Sequence, residues 1–344
     1  MSLPREFRSD NAAPAHPAVM AAILAANEGS AGAYGADKWT TRVQDWIKAE
    51  FGEQAEAFLV WNGTGANVTA LRATTRPWQS VITSVHAHIN VDECGAPELL
   101  AGVKLVDIPS DNGKLDPAAV AAAASRGVGF EHHVQPGVMS ISQSTEYGTV
   151  YTVEELVTLV DTAHRHGLLV HVDGARLANA AAAIGASLGD ISAAAGVDIL
   201  SLGFTKNGAV SAEAVVVLEP SLAPPLKYIR KQTTQLASKM RYLAAQFVAM
   251  AEGELWLANA RRANAMARRL ADGLRGVPGL RITQSVDANA VFAMLPEGMA
   301  ERLWQQGFNF YVWDDATGEV RLMTSWATAV EDVDDLVAAV RRET

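Results

Sequence analysis

The sequence predicts an α/β protein: a mostly parallel sheet covered by helices on both faces, followed by a smaller α/β unit at the C-terminus. Three observations predict it. Short apolar strand candidates alternate with helical segments through the first two thirds of the chain. Two of those strands stop at a charged side chain in a small-residue turn. Residues 168–172 run into Asp173-Gly174-Ala175-Arg176, and 198–202 run into Gly203-Phe204-Thr205-Lys206. Finally, 344 residues with 49% hydrophobic and 19% charged content are enough for one large and one smaller core.

The elements follow in order. Strands are expected at 57–61, 80–85, 103–108, 138–142, 168–172, 198–202 and 214–218, each short, apolar and bounded by turn residues. Between the first two, the turn Asn62-Gly63-Thr64-Gly65-Ala66-Asn67 leads into a helix. Asp116-Pro117 followed by an alanine-rich run has an N-cap and a proline at the first helical position. Thr152 with Glu155 forms a capping box, and Leu156, Val157, Val160 and Ala163 continue an apolar stripe to Gly167.

A second unit is expected from about residue 236. The stretch 236–274 reads as one long helical segment without proline. Strands at 289–295, 308–312 and 319–325 then alternate with helices at 297–306 and 330–342, the last capped by Thr328 with Glu331. The expected division is an N-terminal arm over 1–20, a large domain over 21–235 and a smaller domain over 236–344.

Composition excludes several classes. No apolar run approaches bilayer length, and the start, Met1-Ser2-Leu3-Pro4-Arg5-Glu6, lacks the apolar stretch of a secretory leader. The single cysteine, Cys94, forbids an internal disulfide framework and suits a reducing cytoplasm. A net charge of −10, from 28 basic and 38 acidic residues, argues against nonspecific nucleic-acid binding.

If strands 168–172 and 198–202 share a parallel sheet, Asp173 and Lys206 face one cleft at its C-terminal edge. A carboxylate to hold a pyridinium nitrogen and a lysine to form a Schiff base are what pyridoxal phosphate requires of a protein. Taken singly, a strand-end Asp is more often a turn residue and a Lys beside glycine more often solvated. The turn at Gly63, Thr64 and Gly65 is a candidate phosphate site, because a helix start offers free N–H groups and positive dipole character, although strand-to-helix turns are often glycine-rich for steric reasons alone. It matches neither a Walker loop nor GxGxxG.

The set Arg8-Ser9-Asp10, Tyr34-Gly35-Ala36-Asp37, Asn62-Gly63-Thr64-Gly65-Ala66-Asn67, Ala87-His88-Ile89, Asp173-Gly174-Ala175-Arg176 and Lys206 resembles the threonine aldolases. These belong to the beta-eliminating lyase group of fold-type I pyridoxal-phosphate enzymes. The resemblance runs from Phe7 to Trp326 with the motifs in the family's order. It implies cleavage of L-threonine, L-allo-threonine and related β-hydroxy amino acids such as phenylserine to glycine and an aldehyde. The alternative on the same cofactor is a β-eliminating lyase or aminotransferase acting on a small amino acid.

The resemblance also implies roles. Lys206 would carry the cofactor, Asp173 would pair with its ring nitrogen, and Gly63, Thr64 and Gly65 would hold its phosphate. His88 would lie flat over the ring. Arg176 and Arg321, with Ser9 and Tyr34, would bind the substrate, an arginine fork being suited to a carboxylate. The base for the β-hydroxyl is expected to be one of the pair His132 and His133 in Glu131-His132-His133-Val134, with His133 preferred; a water held by His133, His88 or both is equally permissible, and His86 is a weaker candidate. His16, His164 and His166 are taken as solvated. Lys231 and Arg241, or Lys239, are expected to approach the active site of a neighbouring subunit, which implies a homodimer or homotetramer. No metal ion is expected. Gly65 stands where methionine is more usual, and the 231–241 stretch is longer and more polar than the family's. These departures bear on substrate range and stereochemistry rather than on the reaction.

Overall fold

A computed structural model of the chain describes residues 5–343. Met1–Pro4, which bear on the expectation of no leader, and Thr344 lie outside the described residues. Thirteen strands are numbered here along the chain: β1 Arg5–Glu6, β2 Glu56–Val60, β3 Gln79–Ser84, β4 Lys104–Ile108, β5 Gln135–Ser142, β6 Leu169–Gly174, β7 Ile199–Gly203, β8 Glu213–Val217, β9 Arg281–Ile282, β10 Ala290–Met294, β11 Phe308–Asn309, β12 Tyr311–Asp314 and β13 Glu319–Met323.

The large sheet has the order β2-β8-β7-β6-β5-β3-β4. Strands β7, β6, β5, β3 and β4 are parallel, whereas β8 runs antiparallel to both neighbours. The sheet is therefore mostly parallel, as expected, with one reversed strand inserted near an edge. That reversal leaves β2 pointing the same way as β7, so the ends of β2, β3, β5, β6 and β7 all emerge at one rim. Val, Ile and Leu fill these strands because both sheet faces are covered by helices; β7 and β8 are buried at every position.

Local sequence explains the helices. Asp116 caps Pro117–Ala124 through the Ala118 N–H, and Thr152 and Glu155 close a capping box on Val153–Arg165. Two expectations fail. Thr328 does not cap the last helix, Val330–Arg342. Its hydroxyl instead accepts from the Ser325 N–H, and Ala329 occupies the cap position. The segment 236–274 is two helices, Arg241–Ala251 and Leu255–Leu274, separated at Gly253, which sits at φ 62°.

The expected domain border at 236 also comes too early. Leu243, Phe247, Trp256 and Ala260 pack in the core under the large sheet. The same long helix then turns Met266, Leu270 and Leu274 into a second core with Val291, Leu322 and Leu336, beneath the antiparallel sheet β12-β13-β10-β9. The change of core thus falls within Leu255–Leu274. The N-terminal arm joins the units. β1 pairs in parallel with β11, and the Phe7 carbonyl accepts from the Met323 N–H. The expected arm end at residue 20 cuts through a helix, Pro17–Ala26, that packs against Arg241–Ala251.

Candidate active site

The common rim of the large sheet forms a cleft. Its wall includes Gly63 and Thr64 from the turn after β2, His88 beyond β3, Glu146 beyond β5, Asp173 at the end of β6 and Lys206 beyond β7. They come from different strand ends, gathered at one rim by the parallel pairing of β3, β5, β6 and β7 and by the double reversal through β8 that aligns β2 with them. In β6 and β5, Asp173 lies opposite Ser142, which fixes how far each projects.

Lys206 is in a three-residue helical turn, Thr205–Asn207, ended by Gly208 at φ 110°. Burial pushes its ammonium pKa down, and the nearby Arg176 adds to that against the opposing pull of Asp10, Asp173 and Glu213. A lysine so placed surrenders its proton more readily than one in water, as a carbonyl-attacking amine requires. Burial alone would raise the Asp173 pKa. Lys206, the Ala175 N–H, His88 and the Asn67 amide outweigh it and hold the carboxylate ionised.

Asn67 links the acids. Its Nδ2 donates to Asp173 Oδ2 and to Glu93 Oε1, both at 2.8 Å, and Glu93 Oε1 also meets His88 Nδ1 at 2.8 Å. That contact with Glu93 raises the His88 pKa despite the imidazole's partial burial, with Asp173 contributing. Behind Lys206, burial pushes Glu213 up to about 7 against the hydrogen bond from Thr205 and the attraction of Lys206. Its carboxyl fills the space that a side chain on Gly203 would need.

The helix Gly63–Thr74 starts at the rim. Asn62 is its cap, with Oδ1 accepting from the Gly65 N–H at 2.7 Å. Gly65 therefore has no free N–H for a phosphate, contrary to expectation. The Gln235 amide lies against Gly65, so a side chain here would require that amide to shift. Gly63 and Thr64 keep their N–H groups uncommitted among the described residues, in the first turn where the helix dipole favours an anion.

At the other end, Arg176 is already matched. Its Nε and Nη2 donate to Asp10 Oδ2 and Oδ1 at 2.7 and 2.9 Å. Arg321 is not matched. Its Nη2 donates to the Arg8 carbonyl at 3.2 Å, while its buried Nε has no partner. Its guanidinium lies 4.6 Å from the Trp313 ring centre and 5.7 Å from that of Tyr311. Burial, with repulsion from Arg176, lowers its pKa to about 10, so it stays cationic at neutral pH with no carboxylate of its own. Ser9, beside Asp10, uses its hydroxyl to accept from the Asn11 N–H.

Other expected residues lie elsewhere. His133 sits just before β5, at the opposite end of that eight-residue strand from Ser142, exposed and packed on Gly127 and Phe130. Within its own chain it cannot meet the cleft, and His132 shares the same loop. His86 bonds the Ser110 carbonyl and meets the Tyr147 ring edge-on. His164 contacts Asp198 at 2.9 Å, and His16 caps Pro17–Ala26, so neither is simply solvated. Tyr34, at φ 58°, lines a separate surface cavity, with the exposed Lys231 ammonium 5.7 Å from its ring centre. Arg241 donates to the Gly29 carbonyl. Glu93, Glu146 and Glu213 went unread in the sequence. Each is a lone Glu, outside the quoted motifs, whose value depends on what burial places beside it.

The residues suit pyridoxal phosphate. Free N–H donors at a helix start face the cleft, an ionised aspartate and a depressed lysine lie across from each other, and the buried hydroxyl of Ser144 on the same wall lacks a partner. The sheet order and the second α/β unit define a fold-type I pyridoxal-phosphate architecture, and the chain is a lyase of that class. A sequence model of the beta-eliminating lyase family matches residues 6–297, so the chain belongs to that family. It is 41% identical over 338 residues to low specificity L-threonine aldolase of Pseudomonas aeruginosa, covering 98% of this chain and 97% of that protein. Threonine aldolase of Leishmania major superposes with a TM-score of 0.92 at 31% identity, covering 98% of each chain. Aspartate aminotransferase of Thermus thermophilus, at 16% identity and a TM-score of 0.70 over 100% of this chain and 90% of its own, shares the fold.

Proposed function

We propose that the protein cleaves L-threonine, L-allo-threonine and related β-hydroxy-α-amino acids such as phenylserine to glycine and an aldehyde, using pyridoxal phosphate. The observation that carries this reading is the pairing of two features. Lys206, Asp173 and the Gly63–Thr64 helix start share one cleft, and Arg321 stands in the adjoining unit as a half-buried cation whose buried Nε is unpartnered. The first suits the cofactor; the second suits an amino-acid carboxylate.

Bound cofactor supplies an electron sink for the Cα–Cβ bond electrons. Lys206 would attach it, and Gly63 and Thr64 would take its phosphate. Asp173 would keep the ring nitrogen protonated, its own charge secured by Lys206 and Asn67. His88, held at Nδ1 by Glu93, would cover the ring. Arg321 would orient the substrate carboxylate, and so choose which Cα bond stands perpendicular to the ring. Arg176 would contribute through its Nη1, which neither Asp10 nor Met323 engages. Tyr34, Lys231 and Arg241 do not line their own cleft, which supports a role at a neighbouring subunit's site in a homodimer or homotetramer. A cytoplasmic setting agrees with the single exposed cysteine.

The deciding experiment is product analysis with the four threonine stereoisomers and added pyridoxal phosphate. Glycine with acetaldehyde from an L-isomer supports the reading, and glycine from neither defeats it. Ammonia with a keto acid would instead indicate elimination or transamination.

A further inference from the structure

We propose that Glu146 is the catalytic base that takes the proton from the substrate's β-hydroxyl as the Cα–Cβ bond breaks. The proposal rests on the aldolase reading above and names a residue that neither the motifs nor the family resemblance points to.

Its placement is the first ground. Glu146 lies beyond β5, on the cleft wall shared with Lys206, Asp173 and His88. Two donors hold the carboxyl at one oxygen. Ser142 Oγ donates to Oε1 at 2.6 Å, and the His88 backbone N–H donates to the same Oε1 at 2.9 Å. Oε2 receives no hydrogen bond from another described residue, which leaves it for the cleft.

Elimination is the second ground. Among the acids at the cleft, Asp173 is committed to Asn67 and the Ala175 N–H and answers the charge of Lys206, and Glu93 is committed to Asn67 and His88. Glu213 lies behind Gly203. Of the histidines, His88 is biased towards its protonated form by Glu93, and His133 is at the wrong end of β5. Among the described residues, Glu146 is the carboxyl on this wall that hydrogen-bonds neither the Asn67 amide nor an imidazole ring.

Its electrostatics fit the task. Burial raises the Glu146 pKa, opposed by the Ser142 hydroxyl and the His88 N–H, with Asp173 adding to the rise. The other charged or titrating groups facing it are His88, Arg176 and the phenols of Tyr147 and Tyr151. A carboxyl raised towards neutrality both accepts and returns a proton. The β-hydroxyl proton passes to Oε2, and the O–H electron pair becomes the carbonyl π bond of the aldehyde. The Cα–Cβ pair stays with the glycine Cα, where bound cofactor would delocalise it until a proton from solvent replaces the lost bond; Oε2 gives its proton to solvent once the aldehyde leaves, or back to the aldehyde oxygen in the synthetic direction.

The test uses the holoenzyme of Glu146→Gln, which keeps shape and loses the base. Retro-aldol kcat on L-threonine is expected to fall about 100-fold or more with KM little changed. Exchange of the glycine α-proton in deuterated water, which involves no β-hydroxyl, is expected to persist. Ser142→Ala removes a donor to the ionised form, so the acidic limb of the kcat profile should move to higher pH. On the apoprotein, an infrared difference spectrum of wild type against Glu146→Gln should contain a protonated-carboxyl band titrating above the ordinary glutamate range. Unchanged kcat in Glu146→Gln, loss of glycine exchange in step with cleavage, or absence of that band would each overturn the proposal. A wild-type enzyme that releases no glycine would instead overturn the aldolase reading, before any variant is made.

Discussion

Asp10 and Arg176 meet through two parallel hydrogen bonds, at 2.7 and 2.9 Å, and thereby join the N-terminal arm to the turn that carries Asp173. Asp10 is 2% exposed, and its Oδ2 also accepts from Asn289 Nδ2 at 3.1 Å, so one carboxylate ties the arm, the large sheet and the smaller unit together. Burial would raise the Asp10 pKa, but Arg176, Lys206 and Asn289 hold it low. Replacing Asp10 by Asn leaves a guanidinium in the cleft without its counter-charge. Removing one partner of a buried pair typically costs about 3–5 kcal/mol. Asp10→Asn should therefore lower the unfolding free energy by roughly that amount, measured by urea denaturation of the apoprotein. A change under about 1 kcal/mol would show that water substitutes for the carboxylate.

Arg321 predicts the opposite sign. Its Nε is buried and unpartnered, and its Arg176 neighbour repels it. Arg321→Met keeps most of the packing between Trp313 and Tyr311 and removes a desolvated charge. Stability should be unchanged or higher, while KM for L-threonine should rise at least about tenfold, since charge-assisted bonds to a carboxylate contribute about 1.5–3 kcal/mol. Thermal unfolding and steady-state kinetics on the same preparation check both halves. A drop in stability with KM intact would make Arg321 a structural residue.

The strands were legible because each is a short apolar run stopped by a turn residue, and the two catalytic-looking strand ends stood out because a charge there has no core to enter. What escaped reading depended on contacts distant in sequence. Gly65 resembles a phosphate donor in the sequence, yet Asn62 takes its N–H and the amide of Gln235, 170 positions on, packs against it. The resemblance implies a base at His133, but β5 carries its two ends to opposite rims, and His133 precedes its first residue while Ser142 is its last. The helix read from 236 to 274 has nothing in its composition that marks a break except Gly253, and helices tolerate single glycines. Glu146 had no motif at all. Its significance comes from Ser142, four residues before it, and from His88, 58 residues away.

His171 predicts a pH dependence of stability. It lies fully buried under the rim, its ring nitrogens 2.9 Å from Ser140 Oγ and 3.0 Å from Ser201 Oγ, and burial lowers its pKa to about 4 despite the attraction of Asp173. The unfolded chain binds this proton near pH 6.5, and the folded chain does not until about pH 4. Between those values the unfolded state holds more protons, so stability is full above pH 6.5 and declines as pH falls to about 4. The gap corresponds to about 3 kcal/mol. Comparing wild type with His171→Gln by denaturation at pH 7.5 and pH 5 isolates it, because other acid-sensitive groups are common to both. The variant should show the smaller loss on acidification, and equal losses would refute the assignment.

Asn67 separates two buried acids, donating from one Nδ2 to Glu93 and to Asp173 at 2.8 Å each. Asn67→Asp is nearly isosteric but replaces that donor with a third acceptor. Asp173 then loses a hydrogen bond that favours its charged form and gains a like charge beside it, and both effects raise its pKa. An aspartate that is protonated part of the time holds a pyridinium less firmly. The expectation is weaker pyridoxal-phosphate binding, by about tenfold or more, because one pKa unit corresponds to about 1.4 kcal/mol. The weakening should deepen below neutral pH, where Asp173 protonates further. Cofactor titration of the apoprotein by fluorescence or absorbance, at pH 6 and pH 8, gives the two dissociation constants. An Asn67→Asp variant that binds the cofactor as tightly as wild type at both values would show that Lys206 alone secures the charge on Asp173.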